Sequence, residues 1–481
     1  MGPGPRTAVP HGGLMASRQS QLHSYQFATQ RTVSALVTRD PDPAQPPFRR
    51  VGGSVFASLM VAILALGAVG IYGLIVSGGN TTWRAEGAVV VERESGAKFV
   101  YLNGQLHPVL NYASALLASG STDPKPISVS RRSLAGAPRG TPLGIPGAPD
   151  SLAEPGKLLG APWTVCSNQV RQPDGTSHAQ SSLLVGARPA TAHPLAPGEA
   201  LIVRTGETEY MIWNAHKFRI PADDQRIVHD AIGVHEDQPV PAATALLNVI
   251  APGVDLGRVR VPGTGPSKVA GMAVGDRASV STPGVGVQNF VALADGLAQI
   301  SQLQANLMAS AGSVAHDQPP SWLAVQPRSK LSVGSTDPVA ALPDRPPTVV
   351  TPADGQRAVC AVFSDASGLP EIAVNAAPPA VGAAAVTGSQ SPTSAVLADR
   401  VLVAPGRGAV VLAVPSPDAT TGTLCLVTDL AVAFPVASTD ALATLGYAGV
   451  QPPRLPDAVV ALLQRGPVLD QAAARAPAVL R

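Results

Sequence analysis

The longest uninterrupted apolar stretch in the chain is SVFASLMVAILALGAVGIYGLIV, Ser54 to Val76, and it holds no charged residue. About 20 apolar residues cross a bilayer as a helix. The stretch is apolar on every face, unlike a core helix with one buried stripe, so the pattern predicts a transmembrane helix over 54–76. Beyond it the pattern changes to short apolar runs broken by Asn-Gly, Asp-Gly and Gly/Pro clusters, which predicts strands and turns.

One such pattern returns four times: FVYLNGQLHPV (Phe99 to Val109), YMIWNAHKFRI (Tyr210 to Ile220), FVALADGLAQI (Phe290 to Ile300) and CLVTDLAVAFPV (Cys425 to Val436). Each is an apolar run, a turn and a second short run. Asn103-Gly104 and Asp295-Gly296 allow the positive φ of a tight hairpin; Asn214-Ala215 and Asp429-Leu430 stand in the same place. A helical run follows each hairpin: NYASALLASG from Asn111, DQRIVHDAIGV from Asp224, SQLQANLMAS from Ser301 and STDALATLGY from Ser438. Ser or Asp near the start suits an N-cap, and Gly at several ends suits a C-cap. The unit is a hairpin plus a helix. The copies are unevenly spaced, which excludes a solenoid of fixed period. One hairpin with one helix is marginal alone, so the four must pack on each other or on a central body. Ala242 to Pro283 reads as short strands joined by Gly/Pro turns and is the candidate body between copies two and three, hinting at two pseudo-symmetric halves.

The chain divides accordingly. Residues 1–16 form a disordered Gly/Pro-rich leader, with Met15 as an alternative start, and 17–50 a cytoplasmic segment with a short helix. After the transmembrane helix come repeat 1 (80–122), ordered Pro/Gly-rich loops with part of the central body (123–200) and repeat 2 (201–240). Central body (241–285), repeat 3 (286–315), more central body (316–415), repeat 4 (416–450) and a C-terminal segment (451–481) complete it. In the cytoplasmic segment, Leu22, Tyr25, Val33, Leu36 and Val37 make a partial helical stripe, read either as a loose juxtamembrane helix or as one that docks on a cytoplasmic partner. A Pro-rich breaker, Arg39 to Arg50, follows. RGTPLGIPGAPDSL (Arg139 to Leu152) is expected to be an ordered loop packed on the body, because Leu143, Ile145 and Leu152 recur through it.

Charge sets the orientation. Arg49 and Arg50 precede the apolar span and no charge follows it until Arg84, so the positive-inside rule places the N-terminus in the cytoplasm and the bulk outside. A cleaved signal peptide would have a shorter apolar region and a shorter lead. The 481 residues carry a net charge of +2, and only 14% are charged. With no long basic run and no aromatic-basic interleaving, nucleic acid is not an expected partner. Gly (47) and Pro (48) make up about a fifth of the chain and imply many loops.

Three cysteines are present. An extracytoplasmic body permits a disulfide, and an odd count leaves one thiol over. Cys425 occupies the first apolar position of its copy, where the others carry Phe99, Tyr210 and Phe290, and reads as a buried small hydrophobe. Cys166 and Cys360 are then the pair.

Motifs for chemistry are absent: no G-x-S-x-G, H-E-x-x-H, C-x-x-C or EF-hand loop occurs. His235-Glu236-Asp237 lacks a second histidine at metal spacing. His107 is expected to face solvent and His229 to be a surface or satisfied histidine. GTGPSK, Gly263 to Lys268, is the nearest approach to a phosphate loop, but it lacks the second Gly and the Ser/Thr after Lys268. No catalytic residue, metal ligand or cofactor is expected.

SRQSQLHSYQFATQRTVSALV, the single anchor, YLNGQLHPVLNYASALL, RGTPLGIPGAPDSL, WTVC (Trp163 to Cys166) and LVTDLAVAFPVASTDALATLGY, in that order, resemble the EccB family of actinobacterial type VII (ESX) secretion. The likeness runs from about Met15 to GPVLDQAAARAP at Gly466 to Pro477. The resemblance implies an α+β protein: one N-terminal transmembrane helix, then a β-rich periplasmic domain with a central body and four repeats in a quasi-symmetric, elongated arrangement. It implies a single-pass protein of the inner (plasma) membrane, self-association, and assembly with the EccC ATPase, EccD, EccE and the mycosin protease. It also places the family's disulfide on Cys166 and Cys360. The function expected is that of a non-catalytic structural subunit anchoring and extending the machine into the periplasm. The alternative is a nucleotide-hydrolysing (ATPase) component, as some family members are described; a third reading, wall binding, draws on the likeness of small hairpin-helix repeats to wall-binding modules.

Overall fold

The structure, a computed structural model, describes residues 18–39, 48–75, 81–123, 125–234, 239–334, 341–352, 358–364, 367–380, 382, 384–387, 395–416 and 418–479. It falls into two compact units, 1–81 and 82–481. The leader, His235 to Asp237 and most of the Pro-rich breaker lie outside the described residues.

The first unit holds two helices, α1 (Arg18–Thr38) and α2 (Phe48–Ile75). Residues Gly53–Ile71 of α2 are long and apolar enough to cross a membrane, and every one of them is exposed. Leu22, Tyr25 and Leu36 of α1 are exposed as well.

Among the described residues the second unit is α+β and built from five sheets. Four of them follow one plan, larger than a hairpin with a helix. A three-stranded antiparallel meander is followed by a helix and a strand parallel to the first. A short helical turn and a last short segment parallel to the third strand then close the unit. Repeat 1 has strands Val89–Glu92, Lys98–Leu102 and Gln105–Pro108, α3 (Tyr112–Ser119), Ile127–Val129, the turn Arg131–Leu134, and Arg139 bridged to Leu106. Repeat 2 has Glu199–Thr205, Thr208–Trp213, His216–Ile220, α4 (Gln225–Ile232), Val240–Pro241, α5 (Thr244–Asn248) and Ala251–Pro252. Repeat 3 has Arg277–Thr282, Gly286–Leu293, Gly296–Ile300, α6 (Gln302–Ser310), Ala315–Gln318, α7 (Pro320–Leu323) and Arg328 bridged to Leu297. Repeat 4 has Ala409–Val414, Thr423–Val427, Val432–Pro435, α8 (Thr439–Leu442), Arg454–Pro456, α9 (Asp457–Val460) and Gln464–Arg465. A last helix, α10 (Gln471–Arg475), follows.

These elements correct the reading of 241–285 as central body. Its first part completes repeat 2, because Leu246 and Leu247 of α5 are buried in the core beneath that sheet. Its last part, Arg277–Thr282, is the first strand of repeat 3, burying Ala278 and Val280 on one face. Repeat 4 likewise begins at Ala409, earlier than the pattern suggested.

The central body is the fifth sheet. It orders Ala385–Val386, Arg400–Leu402, Ser177–Leu184, Trp163–Arg171, Ala358–Phe363, Glu371–Ala376 and His193–Pro194. Each half of the chain, 82–256 and 277–469, contributes one hairpin at the middle of this sheet and one repeat on either side of that hairpin in sequence. One face of the sheet, with Trp163, Val165, Phe363 and Val374, shares a core with repeats 2 and 4. Period-two alternation then serves a second purpose. In repeat 4, Val411 and Val427 face the central sheet, while Val410 and Leu426 join α3 of repeat 1. In repeat 2, Leu201 and Val203 face inward, while Ile202 and Met211 pack with α4 toward Leu303 and Leu307 of α6. The packing order is repeat 1, repeat 4, central sheet, repeat 2, repeat 3.

Candidate functional site

The places where the halves and repeats join are the candidate site. At the centre, strands Trp163–Arg171 and Ala358–Phe363 run antiparallel with Cys166 opposite Cys360 and Trp163 opposite Phe363. The two sulfurs form a disulfide across a sequence separation of 194, and both residues are fully buried. The bond lies where the two hairpins of the halves meet.

Two seams flank this centre. In one, α4 and α6 pack together, and Asn306 Nδ2 donates to Ala231 O at 3.0 Å. In the other, α3 meets repeat 4 and α10. There Arg475 Nε donates to Ala118 O (2.9 Å) and Tyr447 OH to Ala153 O (2.8 Å); burial pushes the Tyr447 phenol well above its ordinary range. Serine caps are present as expected on two helices, where Ser301 and Ser438 each accept a backbone amide of the first turn, and Asn111 does the same for α3. Asp224 departs from expectation. Its carboxylate makes no cap on α4, but accepts Arg258 N and Arg258 Nε, both at 2.9 Å, pinning the segment that leaves repeat 2.

The loop Arg139 to Leu152 is packed down, with Leu143 and Ile145 buried and Leu143 N donating to Pro108 O at 2.8 Å. His107 is therefore a correction. It is half-buried, its Nδ1 donates to Thr141 O at 2.9 Å, and a Cβ at Gly140 would come within 2.2 Å of the ring. The imidazole needs the loop this close, so only glycine fits there. His229 Nε2 meets the buried Glu209 Oε2 at 2.9 Å.

Gly263 to Lys268 has a structural task. Ser267 N, Lys268 N and Val269 N donate to Met272 O, Ala294 O and Ser267 Oγ, so these amides are committed to protein acceptors. The turn carries Val269 and Met272 onto the outer face of repeat 3, against Val280 and Phe290. Between the segment that leaves repeat 2 and repeat 3, a polar cleft of about 1060 Å³ includes Asp255, Arg258 and Arg260. Asp255 is bonded to Arg219 at 2.5 Å, which holds its carboxyl below the usual range. Among the described residues no group of three or more His, Cys, Asp or Glu is placed to hold a metal ion. Cys425 is buried, and burial pushes its thiol up.

Some residues escaped the sequence reading. Arg139 stacks over Phe99 at 4.6 Å, and Arg328 over Phe290 at 4.9 Å, in equivalent places. The shared Leu-Ala-x-x-Pro-Arg of 134–139 and 323–328 is the signal that could have found them. Lys217 Nζ donates to Leu247 O at 2.5 Å, and burial lowers its pKa. Trp83, fully buried, plugs the outer face of repeat 1.

The family model for the type VII secretion system ESX-1 transport TM domain B matches residues 14–478. A relative, the ESX-3 secretion system ATPase EccB3 of Mycobacterium tuberculosis, is 28% identical over 346 residues, spanning 69% of this chain and 63% of its own length. Among solved structures, a chain of an intact ESX-5 inner membrane complex superimposes with TM-score 0.63 at 25% identity, covering 98% of this chain and 97% of that one. The EccB3 dimer from the ESX-3 core complex matches at TM-score 0.61 and 25% identity, covering 81% and 100%.

Proposed function

The chain belongs to the EccB family of type VII secretion, and from that premise we propose that it is a non-catalytic structural subunit of an ESX membrane complex. Residues Gly53–Ile71 anchor it, the N-terminus lies in the cytoplasm and the unit from 82 onward extends into the periplasm. Arg49 and Arg50 ahead of the apolar span support that orientation. Its partners on this reading are the EccC ATPase, EccD, EccE and the mycosin protease, together with further copies of itself.

The observation that carries the reading is the use of four of the five sheets described in the second unit to build one small fold four times, closed by apolar seams and a central disulfide. Function must be argued from a site, and the polar groups singled out here hold segments of the chain together. The commitment of the amides at 267–269 speaks against a phosphate cradle in that loop, although relatives carry the name ATPase.

Mild detergent extraction of the tagged protein from its own membranes tests the proposal. The expected species is very large and contains other membrane subunits and an ATPase partner. A lone monomer or homodimer that hydrolyses nucleotide after stringent purification, and loses that activity on Lys268→Ala, would replace this reading with the enzymatic one.

A further inference from the structure

We propose that the outer face of repeat 1 rests on an anionic phospholipid surface. The inference builds on the reading that Gly53–Ile71 spans a bilayer.

Three observations carry it. The first is covalent reach: only seven residues lie between Ile75, the last of α2, and Trp83, so the two are at most about 28 Å apart when the chain is fully extended. Trp83 is 1% exposed and sits in the outer-face core with Val90, Phe99 and Leu134. The chain therefore enters repeat 1 through this face.

The second is the cover of that face. Arg84, Arg131, Arg132 and Arg139 are exposed on the segments that close it. Two are held in place by aromatic rings, Arg84 over Trp83 at 5.1 Å and Arg139 over Phe99 at 4.6 Å. The nearby carboxylates are engaged: Glu92 is buried against Arg131 Nε (2.7 Å), Glu94 accepts Arg131 N (2.9 Å) and Glu86 accepts Asn103 N (3.0 Å).

The third is the distribution of charge among the repeats. Residues 82–140 carry seven Lys/Arg against four Asp/Glu. The counts are four against eight in 199–253, two against two in 277–329, and two against four in 409–466. Only the repeat tethered to the apolar helix is net positive. Cationic side chains within a Debye length of acidic headgroups gain attraction that salt screens.

The test uses the full chain in vesicles of phosphatidylcholine alone and in vesicles with about 30% phosphatidylglycerol, read by hydrogen exchange at residues 83–86 and 131–139. The expected result is exchange about fivefold slower in the anionic vesicles, returning to the neutral-vesicle rate in high salt and in the Arg84→Gln/Arg132→Gln double variant. Arg131 is left alone because it pairs with buried Glu92. Equal exchange in the two vesicle types, or protection that survives salt or the double variant, overturns the inference. Failure to float with either vesicle removes the anchor reading and the inference with it, whereas flotation with lipid-independent exchange removes the inference alone.

Discussion

Repeats 1 and 3 occupy equivalent ends of the two halves and close the same outer sheet face in different ways. Repeat 1 uses the indole of Trp83 and a cover of arginines. Repeat 3 uses Val269 and Met272, carried in by the loop that resembles a phosphate site, with Trp322 and Leu323 beside them. Both keep an arginine stacked over the first phenylalanine of the hairpin. Around its plug repeat 1 is cationic, while repeat 3 exposes Val285, Val287 and Val325. A packing requirement fixes the inside of the unit and leaves its surroundings free to differ. Surfaces that distinguish the copies are therefore better candidates for partner contacts than anything they share.

The inner seams should show the shared part. Leu117 of α3 and Leu307 of α6 are both fully buried, one in each seam. Leu117→Ala and Leu307→Ala should each lower unfolding stability by about 2–5 kcal/mol, measured by denaturant titration. A large loss at one seam and none at the other would break the equivalence of the halves.

The disulfide sharpens the same comparison at the centre. Cys166→Ala with Cys360→Ala should cost about 2–4 kcal/mol, because the link removes freedom from an unfolded chain closed over a separation of 194. A matching loss on reduction of the unaltered protein, absent in the double variant, checks that the cross-link is responsible.

The smallest effect separates the hairpin turns. Repeat 1 turns on Asn103, repeat 3 on Asp295. Asp295 accepts Ser329 Oγ (2.7 Å) and Lys330 N (3.1 Å), and the Ser329 hydroxyl, ahead of the amide, holds its pKa below the usual carboxylate value. A carboxylate with a lower pKa folded than unfolded adds stability that is complete above the unfolded value, near 3.9, and disappears as pH falls through the folded value. Exchange of the Lys330 amide should therefore quicken below about pH 4 relative to amides in repeat 1. Asp295→Asn should abolish that difference.

The turns show how much was legible. Asn103-Gly104, with φ of 50° and 75°, announces its hairpin because few residues accept that backbone. Ser301 and Ser438 announce their helices for a similar local reason. The last strand of each unit was not legible. Ala251–Pro252 and Gln464–Arg465 are two residues long and lie on sheet edges, so no period could mark them. His107 was misjudged because its partner, the carbonyl of Thr141, is 34 residues away.

By itself the sequence determined the apolar span, the four hairpins with their helices, the charge bias along the chain and the family likeness. These are set by composition, periodicity and turn chemistry, which act over a few residues. Only the tertiary structure decided that the unit is a meander completed by two later strands, that repeat 1 packs on repeat 4 and repeat 2 on repeat 3, and that the strands carrying the expected Cys166–Cys360 pair lie side by side at the middle of the fifth sheet. Those outcomes depend on which apolar faces fit together across long separations, and complementarity of that kind exists only once the faces have formed.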